Sequence, residues 1–468
     1  RLVLRLSFVL VVARTLGTAG MGAYTLIYTL VELLMVATGA GYADFLTREA
    51  AKDARAGWGL AFQLVWLRVG LAVPIAVVGT VALPLLHYPR PVLIGAAWMA
   101  ITIIPRSLSE AVQGVLRGLN HYITYFIIEL VLGGSLVAGA AVLIRGHASL
   151  ELVIKVEVLA ALAAGLTGLA LTMKFRTREL IRMKGMLLLR KSAVFNVYGL
   201  FANVYDRFDV VLLSKLAGNY ATGIYSIPYR AVGTAQIIGY GILYSLLPTL
   251  SRNVSNQVEQ KRLAKATGFL LSIGYFIVLS TMIFAGPAVN LILGPQYSES
   301  ANVLKVLVWA VNIRYMNFSL NTVLLAAGQE RVFVRTTLVC LGVNLIGNLV
   351  LIPRFGWLAA AVMTIVTEML LLAQNVYWIR VTVGKIVWPW EGIRTSLAFV
   401  VFFALILFGN HLRAHLLVGT VCLASYAAYL YRRGVITEFV DVWASRKSFQ
   451  PSFADGSKLD VTVVRDAL

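Results

Sequence analysis

The sequence predicts an all-α polytopic membrane protein of about 14 transmembrane helices, built as two pseudo-symmetric six-helix bundles plus two C-terminal helices. Three observations carry this. Of 468 residues, 59% are apolar and only 13% charged, against about 25% charged in soluble domains. Apolar runs of about 20 residues, the length that crosses a bilayer, recur along nearly the whole chain. A glycine–tyrosine motif appears twice, Leu16-Gly17-x4-Gly22-x-Tyr24 and Leu216-x-Gly218-x4-Gly223-x-Tyr225, at an offset of 201 in its Gly and Tyr positions.

Spans are read at roughly 2–13, 21–43, 57–86, 91–116, 120–144, 150–173, 193–217, 221–248, 264–284, 301–326, 332–352, 357–378, 395–410 and 414–431. The first is short and the chain opens on Arg1, so a natural start upstream is expected. The stretch 285–300 (GPAVNLILGPQYSES) is a Pro/Gly-containing linker before span ten. Connections are otherwise brief and no soluble domain is inserted. Residues 1–191 form the first six-helix unit and its basic linker, 192–380 the second unit, 381–431 the last two helices, and 432–468 a polar tail. Six spans per unit give both units the same orientation, a parallel repeat of the kind transporters use. A second repeat anchor sets Gly118 (RGLNHY) against Gly328 (AGQERV), after spans four and ten.

Net charge is +20, from 41 Lys+Arg against 21 Asp+Glu. With no basic domain outside the bilayer, this reads as topology rather than nucleic-acid binding. If both termini lie on one side, that side holds 24 cations, or 28 with the tail; the opposite side holds six, namely Arg14, Arg90, Arg145, Lys215, Arg354 and Arg413. The excess places both termini in the cytoplasm of a multi-pass plasma-membrane protein. It also supports an even number of spans.

Seven cations remain inside the spans: Arg68, Arg106, Lys155, Arg207, Arg230, Lys305 and Arg314. Charges in hydrocarbon cost about 2.5–3.5 kcal/mol each on insertion scales, so they face a partner or a cavity. Arg106 and Glu110 are i, i+4 and spaced to neutralise each other. Asp206 and Asp209 are i, i+3 and project together; they either pair with Arg230 or Arg314 across helices or form a titratable coupling site. Arg68, Lys305 and Arg314 have no acidic neighbour at helical spacing and are candidates for an anionic ligand. Asn312, Asn317, Asn321, Asn344 and Asn348 form a polar vein read as interhelical hydrogen bonding. Tyr and Trp read mostly as interface belt or packing, with Tyr225 and Tyr229, beside the repeat motif, as candidates to face a ligand. Gly114-x3-Gly118 suits close helix packing.

Cys340 and Cys422 lie in apolar runs and imply no disulfide framework. There is no phosphate-binding Gly-rich loop ending in Lys-Ser/Thr, and no nucleophile elbow or Cys/His pair. His411 and His415 are i, i+4 without a third ligand. No metal or cofactor is expected; an ion gradient or the membrane potential is the expected energy source.

The segments ARTLGTAGMGAY (13–24), GYADFLTREAA (41–51), DRFDVVLLSKLAGNYATGIYSIPYR (206–230), GPQYSESANVLKVL (294–307), LLAAGQERVF (324–333) and NLIGNLVLIPRFGWLAAAV (344–362) together resemble polysaccharide-transport proteins. These are the Wzx-type oligosaccharide-lipid flippases of the multidrug/oligosaccharidyl-lipid/polysaccharide exporter superfamily. The resemblance reaches to about residue 378. It implies two bundles around a central cationic cavity, alternating access, and a polyprenyl-(pyro)phosphate-linked glycan moved from the cytoplasmic to the outer leaflet. It places Arg14 and Arg48 near the two mouths, with Arg68, Arg230, Lys305 and Arg314 deeper. Expected partners are membrane lipids and the glycan polymerase and glycosyltransferases of the same pathway. The alternatives are a multidrug cation antiporter, disfavoured by cations matching acids within the spans; a lipid II flippase, whose Asn-rich stretch after the second helix is missing; and a polytopic glycosyltransferase or glycan ligase, which needs a sizeable external loop.

Overall fold

Hydrocarbon offers the backbone no hydrogen-bonding partner, so an apolar chain of this length satisfies its own amides as helices. A computed structural model of the chain shows this throughout; it describes residues 2–37, 42–82, 88–146, 148–173, 185–409, 415–435 and 437. Within them, in order, run α1 (Leu2–Ala37), α2 (Tyr42–Lys52), α3 (Ala54–Ala82), α4 (Arg90–Ala100), α5 (Ile103–Gly118), α6 (Tyr122–Arg145), α7 (Leu150–Met173) and α8 (Gly185–Tyr244). There follow α9 (Leu247–Arg252), α10 (Gln257–Leu293), α11 (Ser298–Leu307), α12 (Trp309–Ala326), α13 (Glu330–Phe355), α14 (Trp357–Thr382), α15 (Trp390–Gly409) and α16 (His415–Arg432). Among the described residues, nine helices are long and apolar enough to cross a membrane. Most of the basic linker at 174–191, His411, Arg413 and most of the tail lie outside the described residues.

Two of these helices fold back on themselves. At Gly17 the backbone takes φ 68° and ψ −176°, and at Gly218 φ 83° and ψ 176°. This combination is open essentially to glycine alone. Each glycine therefore closes a helical hairpin, and spans one/two and seven/eight are its arms. The fold-back is visible in contacts that a straight helix rising about 1.5 Å per residue would forbid. Arg5 Nη2 lies 3.4 Å from the Tyr24 hydroxyl, and the Tyr229 hydroxyl donates to the Asp206 carbonyl at 2.8 Å.

The two hairpins cross tip to tip. A Cβ added at Gly22 would meet the Asn219 carbonyl oxygen at 1.8 Å, and one at Gly223 would meet the Thr18 carbonyl oxygen at 1.9 Å. Thr18 and Asn219 are themselves related by the offset of 201, so the crossing is two-fold symmetric and made of backbone. Around it the Tyr297 hydroxyl donates to the Ala13 carbonyl at 3.1 Å. Arg14 donates to the Leu291 carbonyl at 3.2 Å. This end of the molecule, here the tip end, is closed by contacts between the halves.

The second repeat anchor needs a correction of two residues. Past α5, the amides of Leu119, Asn120 and His121 bond to Val115, Arg117 and Leu116; past α12, those of Ala327, Gly328 and Gln329 bond to Val323, Leu325 and Leu324. The turns superpose at an offset of 208, so Gly328 (φ 71°) matches Asn120 (φ 60°) and not Gly118. Asparagine tolerates this left-handed turn better than most residues. Gly118 does different work: with Gly114 it lets α5 press on α2, where added Cβ atoms would meet the Thr47 and Ala43 carbonyls at 2.4 and 2.7 Å.

The last two helices pack on the second half. Ser272 of α10 meets Thr395 of α15 at 3.0 Å, Tyr275 stacks on Phe399 with centroids 4.7 Å apart, and the Tyr426 hydroxyl of α16 donates to the Ser272 carbonyl at 3.5 Å. The outward faces stay apolar, with Leu397, Phe408 and Leu417 all exposed, as a lipid-facing surface requires.

Candidate functional site

The hairpin arms carry the charged and hydroxyl groups that meet between the halves. On the first arm of α1, Arg5 pairs with Glu157 of α7, Nη2 to Oε1 at 2.8 Å. Tyr24, on the second arm, donates its hydroxyl to the same oxygen at 2.5 Å. One turn further along, the Arg5 guanidinium sits over the Tyr28 ring at 4.7 Å. Arg106 of α5 and Arg230 of α8 approach the same ring, at 5.8 Å and 5.4 Å. Glu32 completes the group: it takes hydrogen bonds from Arg106 and Tyr28 and pairs with Arg207 of α8 at 3.3 Å.

Three guanidinium groups thus pair with two carboxylates and a fourth, that of Arg230, lies over the Tyr28 ring, an excess of two positive charges where the first half meets the second. Arg5 and Arg207 keep 21% and 31% of their side-chain surface accessible. The cluster has the makings of an anion site: planar donors that fit phosphate oxygens, fixed by helices rather than loops.

The second half repeats the geometry with different chemistry. Under the offset of 201, Arg5, Phe8, Tyr24 and Tyr28 map to Asp206, Asp209, Tyr225 and Tyr229. Tyr225 donates to Asp209 Oδ2 at 2.6 Å and lies 3.3 Å from the Thr364 hydroxyl, the position that answers to Glu157 at an offset of 207. Asp209 also accepts from the Val210 amide at 2.7 Å. Asp209 is buried while Asp206 is exposed. The two carboxylates, expected to act together, occupy different surroundings.

The other sequence candidates scatter. Arg68 is 4% exposed and pairs with Glu110 at 2.8 Å; Arg314 pairs with Glu368 at 2.6 Å and donates to Gln236. Neither has an acidic neighbour at helical spacing, and both find one on another helix. The expected Arg106–Glu110 pair does not form, because each takes a partner across the bundle, Glu32 and Arg68. Arg14 is exposed at the tip end. Arg48 is exposed on α2 and shares Glu49 with Lys52. Burial acts to raise the Glu49 carboxyl, but the hydrogen bonds and charges of Lys52 and Arg48 outweigh it and hold the group below its ordinary value. Lys305 is half-buried on α11. Of the asparagine vein, Asn317 bonds between helices, donating to Glu368 Oε2 at 2.9 Å and accepting from Asn375 at 3.3 Å, whereas Asn348 donates to Asn344 of its own helix at 2.9 Å.

Of the cluster, Arg106, Arg207 and Arg230 were legible as intramembrane cations. Arg5 stands near the chain end, where the charge count assigns it to the cytoplasmic side, and neither hydropathy nor charge singles out Tyr28. The repeat held the missing signal, because the offset of 201 carries both onto the Asp206–Tyr229 pair.

Comparison with known proteins follows the same lines. The family model described as polysaccharide biosynthesis protein matches residues 3–254. The probable low-salt glycan biosynthesis flippase Agl15 of Haloferax volcanii is 20% identical over 366 residues, 75% of each chain. The capsular polysaccharide biosynthesis protein CapF of Staphylococcus aureus is 26% identical over 174 residues, 36% of this chain, and the chain spans 44% of that protein's length. Among solved structures, the lipid II flippase MurJ in an inward closed conformation superposes with a TM-score of 0.70 at 11% identity, covering 92% of this chain and 97% of that one. A multidrug resistance MATE family transporter of the MOP superfamily superposes in its inward-facing form with a TM-score of 0.66 at 12% identity, over 82% and 95% of the two chains. An outward-facing form gives 0.57 at 15% identity, over 82% and 93%.

Proposed function

Because the chain belongs to the polysaccharide biosynthesis protein family, we propose that it is a flippase for a polyprenyl-(pyro)phosphate-linked oligosaccharide. It carries the glycan from the cytoplasmic to the outer leaflet by alternating access, in the plasma membrane with both termini cytoplasmic. The observation that carries this reading is the arginine cluster around Tyr28, with its surplus of positive charge between the halves. A phosphate-linked sugar head cannot enter hydrocarbon unaided. Guanidinium groups already desolvated by neighbouring helices replace its water with fixed hydrogen bonds, and the lipid tail stays in the bilayer.

The tip end, closed by contacts between the halves, supports a cluster that loads from the opposite side. Separation of the hairpin tips then exposes it to the outer face. Energy comes from an ion gradient or the membrane potential, entering at the Asp209–Tyr225–Thr364 group, with Asp206 on the exposed side of the same arm. Glycosyltransferases that build the glycan and a polymerase that extends it are the pathway partners.

The test is flipping of a lipid-linked glycan by the full-length protein in proteoliposomes. Arg106→Ala, Arg207→Ala and Arg230→Ala should each cut the rate by at least about tenfold, the worth of one charge-assisted contact, at unchanged protein level. Full rates in all three variants reject the cluster as the head-group site. Asp209→Asn should abolish the dependence of the rate on the imposed ion gradient; a gradient response like that of the wild type removes Asp209 from coupling.

A further inference from the structure

We propose that Tyr28 is the positioning residue of this anion site, its ring holding guanidinium groups from three helices in register and aiming Arg230 at the substrate head. The inference rests on the proposed function. Like charges so close together repel, and each needs a countercharge or an electron-rich face. Arg106 and Arg207 share Glu32, and Arg5 has Glu157. Arg230 pairs with neither glutamate; its guanidinium lies over the Tyr28 ring at 5.4 Å, with Tyr24 also in its surroundings. Arg5 at 4.7 Å and Arg106 at 5.8 Å lean on that same ring. All three distances fall within the roughly 6 Å over which an aromatic face attracts a cation.

A ring is suited to this task in a way a third carboxylate is not. It stabilises guanidinium groups without cancelling their charge, so the surplus of two positive charges survives for the ligand. It is also rigid, with few torsions to lose on ordering. Tyr229, which answers to Tyr28 in the other half, is used otherwise: it stacks on Tyr225 with centroids 5.4 Å apart and donates to the Asp206 carbonyl. The cation platform is a specialisation of the first copy of the repeat.

The test uses the purified full-length protein with inorganic pyrophosphate as probe, read as pyrophosphate-dependent thermal stabilisation, alongside proteoliposome flipping. Tyr28→Phe should keep pyrophosphate affinity near that of the wild type. Tyr28→Leu should weaken it about tenfold with little change in the unliganded unfolding temperature. A readout independent of the Leu variant is phenylalanine at position 28 carrying one, two or three ring fluorines, which drain the ring face without changing its shape. Affinity should fall stepwise along that series. A flat series, or a Phe variant as impaired as Leu, overturns the role of the ring; the latter would assign the effect to the hydroxyl on Glu32. Loss of pyrophosphate binding in Arg230→Ala together with a flat series leaves the anion site standing without Tyr28. Wild-type binding in Arg230→Ala overturns both.

Discussion

Glu368 is 3% exposed and holds Arg314 at 2.6 Å and Asn317 at 2.9 Å. Removing one member of a buried pair strands the other, at a cost of about 3–5 kcal/mol. Glu368→Ala should therefore lower the unfolding temperature in detergent by several degrees. Glu368→Gln, which keeps an acceptor for Asn317, should fall between it and the wild type. Equal stability of Glu368→Ala and wild type would show that the pair contributes nothing to folding. Each of these charges was visible in the sequence as an ionised group in an apolar run. Their pairing was not, because spacing reports only neighbours on the same helix, whereas Arg314 and Glu368 stand on α12 and α14. Arg68 and Glu110, on α3 and α5, were hidden for the same reason. Arg5 was lost to a different rule: a cation near a chain end satisfies the topology count equally well as a loop residue.

At the scale of the element, the hairpins of α1 and α8 are the parts most fully written in the sequence. The Gly17 and Gly218 motifs mark both turns and their common register. What the motif leaves unsaid is that its later glycines, Gly22 and Gly223, are contact points between the halves, since nothing in one hairpin names the carbonyl of the other. With under 2 Å between an added Cβ and a facing oxygen at each site, Gly22→Ala and Gly223→Ala should force the tips apart. Ala13 is fully buried beside them. In a background with Cys340 and Cys422 replaced by serine, Ala13→Cys should react slowly with a membrane-impermeant maleimide. It should react several-fold faster once Gly22→Ala is added. Equal rates would mean that the crossing does not seal that end. In the α5–α2 contact, Gly114-x3-Gly118 packs as its spacing suggests, but spacing does not name the partner helix.

For the whole molecule, hydropathy and the distribution of lysine and arginine carry the topology, because both act through the bilayer and need no tertiary detail. Turns at Gly328 and Gly384 should therefore lie on the cytoplasmic side and the one at Gly356 outside. Reporter fusions at these three points should alternate accordingly, and a Gly356 fusion active in the cytoplasm would invert the assignment. The convergence of three arginines on one ring lies beyond this level, since it depends on how two six-helix units face each other. The tip-to-tip crossing has a consequence for lineage and assembly. Its two contacts are the same contact made twice, so a half-length ancestor inserted in a single orientation would have met its twin through this very surface. The present chain should retain that capacity: fragments 1–184 and 185–468, synthesised as separate polypeptides in one cell, are expected to co-purify and to restore export together where neither does so alone.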